Sequence, residues 1–505
     1  MDIRWWRTLL FTGLAGGIAA AAVAIYGGLG AIPGGVTLSG WNIGGLEAAE
    51  WEGGLDKKLK ALAGQKVRFT AELPGVGETA RELSLAELGL RTDAGRWRAE
   101  IAKLSSGSYW ERAFRRWEWR DRQLTLHVGF DQAVFAAAVQ SQWPELHETQ
   151  PVNARRIITA ADAVEYAAEV RAPRVEMETL RREVGLLLVG GGAGALPVPD
   201  TTFLDRLAAP SLFAADGPLN GKGTAEVAMP VYELKPDVTV SSLKAEGVDR
   251  KIASFTTSFA TSGAGRKHNV QSAATVVHDM LMAPGEVFDY AAVIKETERR
   301  FGFREAPVIV NGKLVPGIGG GICQVSTTLY NAVLRAGLEI VERRNHSLPI
   351  GYAPLGQDAT FASGYINFKF RNSTGKHLLV RTSSENGQLT VKLFGTMDER
   401  VQYEIKSMTV STIEPPIKYV KNPSLPKGKV SLLQAGKPGY VVETYRMKKI
   451  DGKVVSHERV SRDTYKPQAA LYASNAGNGP GDAAPPAAPP QRQIVEDGVQ
   501  GPAFE

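Results

Sequence analysis

The feature that most restricts this chain is a long uncharged stretch near its start. Residues 8–46 contain no Asp, Glu, Lys or Arg. Within them, Leu9 to Ile32 is a mostly apolar run of 24 residues, enough for a helix to cross the hydrocarbon layer of a bilayer. Arg4 and Arg7 precede it, and the first charges after it are Glu47 and Glu50. That asymmetry predicts a cytoplasmic N-terminus with the bulk of the chain outside. Trp5, Trp6 and Tyr26 suit the two membrane interfaces. Ala22-Val23-Ala24 supports a competing reading, secretion after signal cleavage near Ala24. The apolar run continues past that point to spanning length, so the expectation is a retained single-pass anchor. A buried core helix of this length would normally show a polar face.

The rest reads as globular protein. At roughly 150 residues per domain, 505 residues suggest a multidomain chain, and 43% hydrophobic with 22% charged residues excludes a fibre or pure disorder. A single cysteine excludes an internal disulfide framework and a Cys-rich zinc site. The seven histidines include no pair at metal-helix spacing, so neither a metal centre nor a cofactor is expected. An exported lone thiol must be buried, oxidised or used. Charge is uneven: residues 1–250 carry a net −3, residues 251–470 a net +12 and residues 471–505 a net −3. The basic stretch favours anionic partners. Export makes a wall polymer the expected one and, with no basic recognition helix, disfavours nucleic acid. The oligomeric state is open.

Periodicity divides the chain into an anchor at 1–35, α+β modules at 36–140 and 141–250, an α+β domain at 251–395, an all-β module at 396–470 and a disordered tail at 471–505. Leu46, Ala49, Leu55, Leu59 and Leu62 predict an amphipathic helix, and KVRFTAEL (66–73) and QLTLHVGF (123–130) predict strands. SLAELG (84–89) predicts a short helix stopped by Gly89. A further helix over 131–142 takes Asp131 as its N-cap. Residues 156–159 and 164–170 read as extended, 176–187 as helical, and GGGAG (190–194) as a break.

The dense stretch is residues 311–360. A hairpin turning at Asn311-Gly312 leads to Gly317, Gly319, Gly320 and Gly321, then to a helix from near Cys323 to Gly337. A strand over 338–343 ends just before His346, and Asp358 follows a loop containing Tyr352. A cysteine at a helix N-terminus meets unpaired N–H groups that favour its thiolate. The glycines would let a carbonyl approach the same amides, with His346 as base and Asp358 orienting its ring. The alternative is a small buried cysteine with no chemistry. Gln324, Ser326 and Thr327 on the first helical turn either cap the helix or touch substrate. Arg343 and Arg344 suit a carboxylate or phosphate. The Gly-rich loop matches neither nucleotide-binding template, since no Gly-Lys-Ser/Thr follows and Ile322 stands where a third glycine is required. His268 and His278 lack flanking ligands and read as surface or capping residues.

SFTTSF (254–259), NVQSAATVVHDMLMAPGEVFDY after residue 268, GGGICQVSTTLYNAVLRAGLEIVERRNHS (319–347) and YAPLGQDAT (352–360) resemble the VanW domain. GVTLSGWNIGGL (35–46) and the segment 50–235 resemble the tandem peptidoglycan-binding modules that often precede it. GKPGYVVETYRM and VSRDTYKP resemble the G5 β module, which is linked to cell-wall and amino-sugar binding. The resemblance implies a wall-associated surface protein of a Gram-positive-type bacterium, with Cys323, His346 and Asp358 matching the family. It also implies an acidic residue where this chain has Asn367. The functional expectation is a membrane-anchored peptidoglycan-binding protein with a Cys–His acyl-transfer site lined by Gly319, Gly320, Gly321, Gln324, Ser326, Thr327, Arg343, Arg344 and Tyr352; a non-catalytic wall scaffold is the alternative.

Overall fold

A computed structural model describes residues 3–73, 77–190, 207–215, 217, 224–310, 312–475 and 495–496, with only the backbone for 3–15. They fall into two units, residues 1–153 with 170–237, and residues 154–169 with 238–505.

In the N-terminal unit, alternation works as the strand period requires. KVRFTAEL forms a strand over Lys66–Leu73, with Val67, Phe69, Ala71 and Leu73 buried on one face. Helix α1 spans Ile3–Gly28, and α2 spans Ala48–Ala63, burying Trp51, Leu55 and Leu62 behind a Glu47/Glu50 capping box. Helices α3 (Ala94–Ala102) and α4 (Tyr109–Glu118) fall where the sequence reading placed none. Helix α5 (Gln132–Gln142) starts at the expected cap, the Asp131 carboxylate accepting from Val134 N–H at 2.9 Å. Helix α6 (Met177–Val189) ends at a left-handed Gly190. Residues 191–194 of the expected glycine break lie outside the described residues.

Two expectations are corrected here. SLAELG is a turn, not a helix: Leu88 N–H closes on Ser84 O, Gly89 N–H on Ala86 O, and Gly89 takes φ +74°. Leu90 N–H closes back on Leu85 O at 2.9 Å, which turns the chain into the next strand before a helix can propagate. The boundary expected at 140/141 is crossed by strand pairing, because Leu207–Ala209 pairs with Leu126–Phe130 and Ala225–Ala228 with Lys66–Leu73. One apolar core accordingly runs from Ile32 to Met229. Among the described residues no helix is long and apolar enough to cross a membrane. Much of the expected anchor falls on residues 1–15, whose side chains lie outside the described ones.

The C-terminal unit begins with the hairpin of Arg155–Ile158 and Val164–Ala167 and with the short helix α7 (Val240–Ala245). Strands β1 (Arg250–Ser258), β2 (Met280–Met282), β8 (Leu378–Glu385) and β9 (Gln388–Gly395) form an antiparallel sheet in the order β1-β9-β8-β2. Helices α8 (Ala264–Val277), α9 (Tyr290–Phe301) and α10 (Ile322–Arg335) gather round it, α10 against β1 and β9. A second sheet joins β3 (Val287–Asp289), β7 (Lys369–Arg371) and β6 (Glu339–Glu342), and the expected hairpin is β4 (Glu305–Val310) with β5 (Lys313–Ile318).

Beyond residue 400 the regular elements among the described residues are all strands. Strands β10 (Val401–Ile413), β13 (Gly439–Ile450) and β14 (Lys453–Tyr465) make one sheet, and β11 (Ile417–Lys421), β15 (Ala470–Ser474) and β12 (Val430–Gln434) another. The tail expected to be disordered from residue 471 thus starts inside β15, whose Ala473 and Ser474 are buried. A two-residue strand β16 (Val495–Glu496) pairs with β4.

Candidate functional site

Helix α10 is enclosed: residues Ile322 to Leu334 are all buried. It starts from a glycine turn with φ +87° at Gly319 and +109° at Gly321, and a Cβ on Gly320 would collide with Pro307 O. The Tyr290 hydroxyl donates to Ile322 O at 2.6 Å and pins the helix start.

The polar residues of α10 do not face solvent. They hold the backbone of residues 357–361 against the helix. Ser326 Oγ donates to Ala359 O at 2.7 Å, Thr327 Oγ1 accepts from Ala359 N–H at 3.0 Å, and Asn331 Nδ2 donates to Gln357 O at 2.6 Å. Phe361 N–H donates to the Cys323 sulfur at 3.1 Å. Asp358 is thereby placed opposite His346, which lies just beyond β6.

The contacts of Asp358 define the centre. Its Oδ2 accepts from His346 N–H and from His346 Nδ1, both at 2.7 Å. Its Oδ1 accepts from the Tyr465 hydroxyl and from Arg343 Nη2 at 3.3 Å. Arg343 is tied in turn to Asp463 at 2.6 Å. With Nδ1 committed to the carboxylate, the other ring nitrogen, Nε2, is buried without a hydrogen-bond partner among the described residues, and the Cys323 sulfur is near enough to act on the ring electrostatically. Cys323, His346 and Asp358 are each 0% exposed.

Electrostatics follow from this packing. Burial works against the charged imidazole, yet Asp358 and the Cys323 sulfur together hold His346 well above its usual range. Burial likewise opposes the Asp358 carboxylate, but His346 and Arg343 bring its pKa down to about 2. Burial beside Asp358 pushes the Tyr465 phenol up, which keeps it a neutral donor. The carboxylate, the imidazole and the sulfur thus lie in sequence, with the ring held toward its charged form.

The structure brings together the three residues expected to be catalytic and corrects much of the expected groove lining. Gln324 is buried, donating to Thr257 Oγ1 and Ser258 O and accepting from Arg266. Ser326 and Thr327 position the Asp358 segment, and Arg343 is enclosed between two carboxylates. These side chains are consumed by internal bonds, so the expectation that they line a groove does not hold. Gly319, Gly320 and Gly321 are buried under β4 and α8; Arg344 is exposed; Tyr352 is half-buried beneath the Arg266 guanidinium at 5.7 Å. Asn367 bridges Asp289 Oδ1 at 2.7 Å and Ala291 N–H at 3.0 Å at the start of α9, where an acidic side chain would face Asp289. His268 reaches Gly302 O at 3.3 Å and His278 accepts from Thr382 N–H at 3.1 Å. Among the described residues no cluster of His, Cys, Asp and Glu could hold a metal.

Sequence reasoning missed Tyr465, Asp463, Tyr290 and the Phe361 amide. Tyr465 lies 107 residues from Asp358. Its only local signal is VSRDTYKP, which also contains Asp463.

Comparison with known proteins fits this division. Residues 265–394 match the family described as VanW like protein, and residues 404–472 match the G5 domain. The chain is 36% identical over 176 residues to the uncharacterized protein YoaR of Bacillus subtilis (strain 168), covering 35% of this chain and 58% of that one. It is 25% identical over 150 residues to the vancomycin B-type resistance protein VanW of Enterococcus faecalis (strain ATCC 700802 / V583), covering 29% and 54%. The chain thus spans little more than half the length of these curated relatives. Among solved structures, an IgA1 protease G5 domain matches at 27% identity and TM-score 0.13, over 16% of this chain and 95% of that one. The HP0197 G5 domain matches at 29% identity and TM-score 0.11, over 14% and 96%. Cys323, His346 and Asp358 fall in the first matched region and Tyr465 in the second, so the chain carries a VanW-like domain followed directly by a G5 domain.

Proposed function

We propose that this is an extracytoplasmic, cell-wall-associated protein whose VanW-like domain carries out thiol-dependent acyl transfer on wall peptide. The observation that carries the chemistry is the 2.7 Å bond from His346 Nδ1 to Asp358, which leaves Nε2 as the ring nitrogen available to Cys323. The Cys323 sulfur attacks an amide carbonyl carbon, forming a C–S bond. His346 gives its proton to the amine nitrogen as the C–N bond breaks. Water or a second amine then attacks the thioester and loses its proton to His346, and the thiolate is released. Incubation with purified sacculi or a synthetic stem peptide, followed by mass spectrometry, tests this. The expected result is an acyl adduct on Cys323 that Cys323→Ala lacks; an unmodified sulfur and unchanged peptide would contradict it.

A second reading, a non-catalytic wall-binding scaffold, is favoured by one observation: the sulfur is fully enclosed. It predicts that Cys323→Ala complements a deletion strain as well as the natural chain does.

Wall association is supported by the VanW-like and G5 regions and by the net +12 of residues 251–470, which attracts anionic wall polymer. For membrane anchoring the support is the uncharged stretch 8–46 together with α4. Trp110, Phe114 and Trp117 project from one exposed face of α4 at i, i+4 and i+7. The helix packs where α1 ends: Gly27 leaves no room for a Cβ beside Tyr109 O, and Arg116 donates to Ala31 O. Exposed tryptophans beside an apolar helix are the composition of a membrane interface.

A further inference from the structure

Strand β16 brings residues from the far end of the chain to the threshold of the centre. Val495 pairs with Val310, and Glu496 with Ile309 of β4. Val495 packs with Val308, Val310 and Val315. The Glu496 carboxylate accepts from Ser347 N–H at 2.9 Å and Ser347 Oγ at 3.1 Å. Ser347 adjoins His346; burial raises the Glu496 pKa, and the Ser347 donors and the charge of His346 work against that rise. Glu496 is 7% exposed.

Each feature belongs to a receptor for an extended chain. The hairpin β4–β5 presents an edge of backbone groups, valines form an apolar patch below it, and two donors at Ser347 await a carboxylate. The pairing spans two residues and adds a strand to the edge, which is how peptides are taken up by β-augmentation. A buried carboxylate is tolerated only where such donors compensate its desolvation.

We propose that the β4 edge and Ser347 form a subsite for an extended acidic peptide, an apolar residue followed by a carboxylate, and that Val495–Glu496 is its internal occupant. The chain holds its own centre closed until a competing peptide displaces this strand. The inference rests on the reading of the adjacent centre as peptide-directed, but binding at the subsite requires no catalysis.

The test uses the full chain carrying Val495→Asp and Glu496→Lys, with a fluorescein-labelled peptide of the sequence QIVEDGV. Circular dichroism shows whether the variant folds, and the milder Glu496→Gln chain serves if it does not. The peptide should bind either variant at least about tenfold more tightly than it binds the natural chain, since the occupied subsite must first be vacated. A peptide with glutamine in place of glutamate should bind about tenfold more weakly, as should the original peptide to a chain that also carries Ser347→Pro. Equal binding to natural and variant chains, or none to either variant, would overturn the proposal. Cys323→Ala separates the two readings: lost turnover with intact peptide binding bears on catalysis alone, whereas absent peptide binding with intact turnover refutes the subsite alone.

Discussion

The two units build their interiors differently. The N-terminal core is filled by Trp51, Leu55, Phe69, Phe135, Trp143 and their like, and its buried polar side chains among the described residues are Ser39, Arg116 and Arg181. The C-terminal unit encloses Gln324, Ser326, Thr327, Thr328, Asn331, His346, Asp358 and Thr360 in and around a single helix. Apolar side chains would enclose α10 at lower desolvation cost. The difference teaches that the second interior is organised to fix one short segment, residues 357–361, and through it one carboxylate. Thr327, Ser326 and Asn331 bond to that segment's backbone, so their polarity sets position.

Breaking the comparison at its strongest point should give the largest effect. Cys323→Ala should abolish acyl transfer, a loss of about a thousandfold or more, as removal of a nucleophile does. Sacculus binding and the circular dichroism spectrum should stay unchanged. Loss of folding in this variant would instead mark the thiol as structural.

Next comes stability. Asp358→Asn leaves Arg343 and His346 without their shared carboxylate and should cost about 3–5 kcal/mol in urea unfolding. In the N-terminal unit a comparable cost requires an apolar truncation: Phe69→Ala should cost about 3–5 kcal/mol. Equal tolerance of Asp358→Asn and of a surface Asp→Asn would erase the contrast between the two interiors.

Smaller effects sharpen it. Thr327→Val keeps shape but removes the bonds to Ala359, so it should cost about 1–3 kcal/mol. It should also lower the His346 pKa as Asp358 loosens. Tyr465→Phe should cost about 1 kcal/mol and shift the Asp358 pKa upward, measurable by NMR titration. Because Tyr465 lies in the G5 region, that shift would show that the second domain tunes the first.

The pH dependence has a worked sign. Asp358 is depressed to about 2, so its stabilisation is complete above its unfolded value of about 4 and is lost as pH falls toward about 2. His346 is raised, so its stabilisation is complete below about 6.5 and is lost as pH rises through its folded value. Unfolding of the C-terminal unit should therefore be hardest between about pH 4 and 6.5. His346→Gln should remove the alkaline decline.

Local periodicity made much of this legible. KVRFTAEL, the cap at Asp131 and the helix following Gly321 emerged because each is decided within a few residues. Cys323, His346 and Asp358 were visible as a motif lying within 36 residues of sequence. What stayed hidden depends on long-range pairing. Tyr465 reaches Asp358 only after β14 folds beside β13, and the join between Lys66–Leu73 and Ala225–Ala228 spans two segments with no shared local pattern. The polarity of Ser326 and Thr327 pointed toward a ligand because sequence alone does not show that a backbone segment occupies that face.

The central claim is that sulfur, imidazole and carboxylate act as one charged array. The most direct test is an NMR titration of His346 in the natural chain and in Cys323→Ala. A clear fall of the His346 pKa once the sulfur is gone is the predicted result; superimposable titration curves would contradict the account.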